Sequence, residues 1–130
     1  PNFAEGYFNL GLGLHKQGQR ETAITAYRQA LVVNPTMAAA HYNMGLALYE
    51  LGQINESITA YQQGINIDSS NANAYYNLAI ALEQTGQVQE AMNSYRQALN
   101  INPDNAAAYN RLGTLMAKSG LTTEAVATYT

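Results

Sequence analysis

The chain has no cysteine and no tryptophan, and only 12% of its 130 residues are charged. That is about half the usual share. Without cysteine there is no disulfide framework, no zinc–thiolate site and no thiol nucleophile. At this length a core forms without such staples. Six Lys and Arg against nine Asp and Glu give a net charge of −3. This excludes the clustered basic surface that phosphate binding requires, so no nucleic-acid partner is expected. No apolar run approaches the ~18–20 residues of a membrane span, and no export signal opens the chain. Membrane insertion is therefore not expected, and the cytoplasm is the expected location. The two histidines, His15 and His41, fall in different parts of the chain with no thiol to join them. No metal site is expected. No serine lies in a nucleophile motif and no glycine-rich loop follows a strand, so neither an enzyme nor a cofactor is expected. In place of charge the chain carries 14 Asn and 10 Gln.

What is present is a single period of 34 residues. Tyr27, Tyr61, Tyr95 and Tyr129 keep this step, as do Gly18, Gly52, Gly86 and Gly120. So do Leu10, Met44, Leu78 and Leu112, and Leu14, Leu48, Leu82 and Met116. Small residues form three further columns: Gly11, Gly45, Ala79 and Gly113; Ala23, Ser57, Ala91 and Ala125; Ala30, Gly64 and Ala98. Pro1, Pro35 and Pro103 lie on the same period, with Ser69 in the remaining place. The register holds without an insertion, which is the mark of a repeat protein. Tyr7, Leu10 and Leu14, and Ile24, Tyr27 and Leu31, fall at i, i+3, i+7. That spacing gives two amphipathic helices per repeat. The glycine column separates them, because glycine takes the left-handed conformation at a helix end without steric cost. The expected helices are 4–17, 20–33, 38–51, 54–67, 72–85, 88–101, 106–119 and 122–130. Glu56, Glu90 and Glu124 are expected to complement the dipoles of second helices. Gly45 and its column are expected at a close seam, so Gly45→Leu should overpack it. His41 stands where Tyr7, Tyr75 and Tyr109 stand and reads as a packing substitution.

The stretch Tyr7–Phe8–Asn9–Leu10–Gly11 through Lys16–Gln17–Gly18, then Ala23–Ile24, Tyr27, Ala30–Leu31 and Asn34–Pro35, resembles the tetratricopeptide repeat. The resemblance covers essentially the whole chain. It implies an all-α, right-handed superhelical solenoid of antiparallel helix pairs, here about 3.7 repeats. The expected division is 1–3 as the end of a preceding repeat, repeats at 4–37, 38–71 and 72–105, and a partial fourth at 106–130. The cut register reads as a segment of a longer array, one continuous domain without its polar cap. Open ends of this kind, at Val126 and Tyr129 for example, are expected to fray or to self-associate end to end.

The resemblance also implies that first helices line a concave groove. Its columns are Phe8, Tyr42, Tyr76 and Asn110; Asn9, Asn43, Asn77 and Arg111; and Leu12, Leu46, Ile80 and Thr114. His15, Tyr49, Glu83 and Ala117, beside Lys16, Glu50, Gln84 and Lys118, form two more. An asparagine amide offers two donors and an acceptor, which suits the backbone of an extended peptide whatever its side chains. The apolar columns suit side chains or an amphipathic helix. Arg111 suits an acidic group. A protein or peptide partner is expected, held by Phe8, Asn9, Leu12, Tyr42, Asn43, Leu46, Tyr76, Asn77, Ile80 and Arg111. The Asn ladder resembles that of O-linked N-acetylglucosamine transferase, although no glycosyltransferase domain is present. The two-carboxylate clamp of chaperone-binding members does not fit. Its slots hold Phe8, Leu12, Asn43, Asn73 and Asn77, or Tyr42, Leu46, Asn77, Ala107 and Arg111, and its lysines are missing. The alternatives are a substrate-docking segment of a larger enzyme and a self-assembling scaffold.

Overall fold

The computed structural model describes residues 2–120. The eighth expected helix (122–130), with Glu124, Ala125, Val126 and Tyr129, and also Pro1, lie outside the described residues. Seven helices are present among the described residues: α1 (Phe3–Lys16), α2 (Arg20–Val33), α3 (Ala38–Glu50), α4 (Ile54–Ile67), α5 (Ala72–Gln84), α6 (Val88–Ile101) and α7 (Ala106–Lys118). No strand occurs among the described residues. Every boundary lies within one residue of the sequence expectation. Packing divides the chain between Ser69 and Ser70 into two compact units. In the first, α1 packs on α2, α2 on α3 and α3 on α4; in the second, α5 packs on α6 and α6 on α7. The fold is an all-α helical solenoid.

Local chemistry fixes each end. Gly18, Gly52, Gly86 and Gly120 have φ of 81°, 83°, 79° and 81°. The left-handed residue turns the chain so that the Gly18 N–H donates to the His15 carbonyl (3.0 Å) and the Gln19 N–H to the Leu14 carbonyl (2.9 Å). This is a Schellman motif, and it repeats at Gly52 and Gly86. Second helices end differently. Asn34, Asp68 and Asn102 are extended, with φ between −128° and −140°. Asn34 and Asn102 precede prolines, which exclude the helical conformation there. Asn2, Asn71 and Asn105 cap α1, α5 and α7 by accepting from the N–H groups of Glu5, Ala74 and Ala108. Glu56 and Glu90 stand in the first turns of α4 and α6.

The cores are built on the tyrosine column. Tyr27, Tyr61 and Tyr95 are each 0–1% exposed. A Cβ added at Gly11 would lie 2.5 Å from the Tyr27 ring, and one at Gly45 would lie 3.0 Å from the Tyr61 ring. The small column therefore makes room for a phenol ring rather than for a helix backbone. Tyr27 titrates with its pKa pushed up to about 12, first by burial and then by the charge of Glu50.

His41 is buried, and its Nδ1 has no hydrogen-bond partner. Burial lowers its pKa below 6.5, against a raising contribution from the Pro35 carbonyl 3.4 Å from Nε2. The folded chain thus binds this proton less readily than the unfolded chain. Its contribution to stability is complete above about pH 6.5 and is lost as the pH falls toward the folded-state value. Thermal melts of the His41→Tyr variant should therefore lose less stability between pH 7.5 and 5.5 than the parent. An identical pH slope in the two proteins counts against this assignment.

Candidate functional site

The aromatic column turns toward the second helices. The Phe8 ring packs on Tyr27, with centroids 5.9 Å apart, and borders the core formed by Ile24, Met44 and Leu48. The Tyr76 ring meets Tyr95 edge-on at 5.9 Å. Tyr42 leans over Gly64, where an added Cβ would overlap its ring. The Tyr42 hydroxyl is then within hydrogen-bonding reach of the Gly64 carbonyl (3.0 Å) and the Asp68 carbonyl, which closes the end of α4. All three rings are half-buried.

The polar column is heterogeneous. Asn9 is exposed on α1. Asn43 on α3 is half-buried and donates its amide to the Ala39 carbonyl of its own helix (2.8 Å). That bond orients the side chain and leaves its oxygen as an acceptor. Asn77 on α5 is half-buried and has no hydrogen-bond partner among the described residues. Arg111 on α7 lies 3.5 Å from the Glu83 carboxylate, which accepts from the Tyr95 hydroxyl (2.7 Å). Burial, the Glu83 hydrogen bond and the Glu83 charge push the Tyr95 pKa up, against Arg111. Burial would lower the Arg111 pKa, but Tyr95, Tyr76 and Glu83 outweigh it. The guanidinium thus has a carboxylate within its own unit.

The aliphatic column is partly exposed. Leu12 is 37% exposed and Leu46 is half-buried. Together with Gly13, His15 and Lys16 they line a recess of about 500 Å3 between α1 and α3. Ile80, the equivalent residue on α5, is half-buried. His15 is held by Glu50, with Nε2 and Oε1 2.5 Å apart, while its Nδ1 lies 3.4 Å from the Tyr27 hydroxyl. Arg20 donates to the same Glu50 oxygen at 3.1 Å. Burial would raise the Glu50 pKa, but the hydrogen bonds and charges of His15 and Arg20 hold it below 4.5. Gly13 shares its register with Ala47, Ala81 and Leu115, which are buried at 0%, 0% and 3% exposure. An added Cβ at Gly13 meets nothing within 4 Å.

Among the described residues no group of three or more His, Cys, Asp or Glu is placed to hold a metal ion. Nor is any helix among them long and apolar enough to cross a membrane.

Comparison with curated protein sequences gives no match. Among solved structures, the chain is similar to MamA, at 29% identity and a TM-score of 0.93, covering 99% of this chain and 75% of that one. It is also similar to the first TPR of Spaghetti (RPAP3) bound to the HSP90 peptide SRMEEVD (21% identity, TM-score 0.86, covering 91% and 94%). The second TPR domain of human RPAP3, in complex with the HSP70 peptide SGPTIEEVD, gives 24% identity and a TM-score of 0.81, covering 86% and 93%. The last two likenesses concern the fold alone. A family model described as TPR repeat matches residues 13–52, 45–86 and 84–120. With seven helices keeping one 34-residue register over those spans, the chain belongs to the tetratricopeptide repeat family.

Proposed function

We propose that the chain is a protein-interaction scaffold that binds an extended peptide along the face of its first helices. The observation that carries this is the pairing of Asn9 and Asn43 with the open Leu12–Leu46 recess on α1 and α3. Exposed apolar surface beside an exposed amide, Asn9, and an oriented one, Asn43, suits a ligand that is part backbone and part aliphatic side chain. Two solved proteins of this fold hold peptides, which supports the class of ligand. The chaperone-type acidic tail is a poor fit, because Phe8 and Leu12 stand where that clamp has polar groups. The Asn face instead favours backbone recognition, as in the resemblance to O-linked N-acetylglucosamine transferase. The repeat limits 4–37, 38–71, 72–105 and 106–130 are part of the same proposal.

A displayed peptide library tests it. Peptides selected on the parent should lose affinity about fivefold or more on the Asn9→Ala, Asn43→Ala double variant, whatever their sequence. Undiminished capture overturns the role of the amides. One observation favours a second reading, end-to-end self-association. Leu10 on α1 is 52% exposed and Phe3 64%, whereas Met44 and Leu112, Leu10's equivalents, are 9% and 4% exposed under α2 and α6. Sedimentation velocity separates the two readings.

A further inference from the structure

We infer that Glu50 is a positioning residue: by joining the ends of α1, α2 and α3 it sets the spacing of the Asn9 and Asn43 amides on the peptide-binding face. The inference rests on the reading above and names what controls the geometry of that face. Glu50 is the last residue of α3. A carboxylate there opposes the helix dipole, and the same place in the register holds Lys16, Gln84 and Lys118. The helix alone does not account for Glu50, and its partners do. One carboxylate oxygen meets His15 Nε2 from the last turn of α1 (2.5 Å) and Arg20 Nε from the first residue of α2 (3.1 Å). One repeat on, the places of His15 and Arg20 hold Tyr49 and Ile54, and two repeats on they hold Glu83 and Val88. The set of His, Arg and Glu therefore belongs to this junction and not to the repeat in general.

The link is built to persist. A carboxylate only accepts, so His15 Nε2 carries a hydrogen. Its Nδ1, 3.4 Å from the Tyr27 hydroxyl, accepts from that group in the neutral ring and donates to it in the imidazolium. Either form of His15 keeps both contacts. Burial opposes the ionised form of Glu50, and the hydrogen bonds and charges of His15 and Arg20 outweigh it. An exposed ion pair contributes little by itself, but this one has three members and its His15 side is 14% exposed. Its leverage comes from position. α3 packs chiefly on α2 and α4 and meets α1 only sparsely. A small rotation of α3 on α2 thus shifts Asn43 against Asn9 unless a direct link resists it. Asn9 and Asn43 lie about two turns from His15 and Glu50 on their helices, close enough to follow the junction.

Two measurements on the whole chain test this. The first needs no ligand. Because the chain has no cysteine, Asn9→Cys and Asn43→Cys can carry a nitroxide pair without other changes. Its dipolar broadening should weaken and spread in Glu50→Ala, and Glu50→Gln, which keeps an oxygen acceptor, should restore it. The second uses a library-selected peptide that depends on both Asn9 and Asn43, and its truncated form that depends on Asn9 alone. Glu50→Ala should weaken the full peptide about fivefold and leave the truncated one unchanged. Melting temperatures of both Glu50 variants establish that each is folded. Parental broadening in Glu50→Ala, no recovery in Glu50→Gln, or equal weakening of both peptides overturns the inference. If the library yields no peptide, the peptide-binding reading falls, and the nitroxide pair still decides whether Glu50 sets the spacing.

Discussion

Tyr95→Ala should lower the melting temperature by about 15 °C, the largest single effect expected in this chain. Tyr95 is 0% exposed, and its ring meets that of Tyr76 at 5.9 Å. Removing a buried ring loses its transfer free energy and leaves a cavity, together about 3–5 kcal/mol. That is a large fraction of the ~5–15 kcal/mol that holds a typical domain. The hydroxyl contributes separately, because it donates to Glu83 at 2.7 Å. Tyr95→Phe keeps the ring and gives up that bond. Glu83 remains paired with Arg111, so this variant should cost only about 1 kcal/mol. Denaturant melts of the two variants decide the matter. Equal losses would show that the hydroxyl, not the ring, holds the unit together.

Gly45→Leu should cost about 3 kcal/mol, or roughly 10 °C, despite replacing a poor helix former by a good one. The first added carbon would lie 3.0 Å from the Tyr61 ring, and three more must follow. Tyr61 is 1% exposed and has nowhere to retreat. The Ser57 hydroxyl donates to the Gly45 carbonyl at 2.7 Å, which ties α4 to this turn of α3. Gly45→Ala is the control. Ala79 occupies the equivalent place on α5 at 0% exposure, so the ring tolerates one carbon. Alanine should be near neutral, and leucine should not. An unchanged melting temperature for Gly45→Leu would mean that the seam is looser than the geometry shows.

The helices and their ends were legible in the sequence because they depend on period and on a few residues with special backbones. A glycine every 34 residues has one local meaning, and the φ of 79–83° at four positions expresses it. The family was legible for the same reason. The direction of individual side chains was not. Tyr42, Phe8 and Tyr76 share a column, yet Tyr42 turns over Gly64 while Phe8 and Tyr76 rest on tyrosines. The difference coincides with a single methyl group on the second helix, Gly64 against Ala30 and Ala98, and the column that displays it does not say which ring responds. The asparagines were also read too uniformly. Asn2, Asn71 and Asn105 cap helices, and Asn34 holds the Thr36 N–H and hydroxyl in a turn. Only part of the Asn surplus is therefore available to a partner. The Glu50 junction depends on residues far apart in sequence meeting at one carboxylate, and no periodic pattern encodes that.

The glycine turns bear on how fast the chain folds. Each turn joins two helices through only three residues, as at 17–19, and the next helix packs on the one before it. Within each unit, almost every stabilising contact forms between neighbours in the sequence. Such a topology has low contact order, and closing its loops costs little chain entropy. Helix pairs can form on the microsecond-to-millisecond scale, starting at any repeat. A ribosome adds 34 residues in about 2–7 s. Each helix pair therefore has time to pair and re-pair many times while the next is still being made.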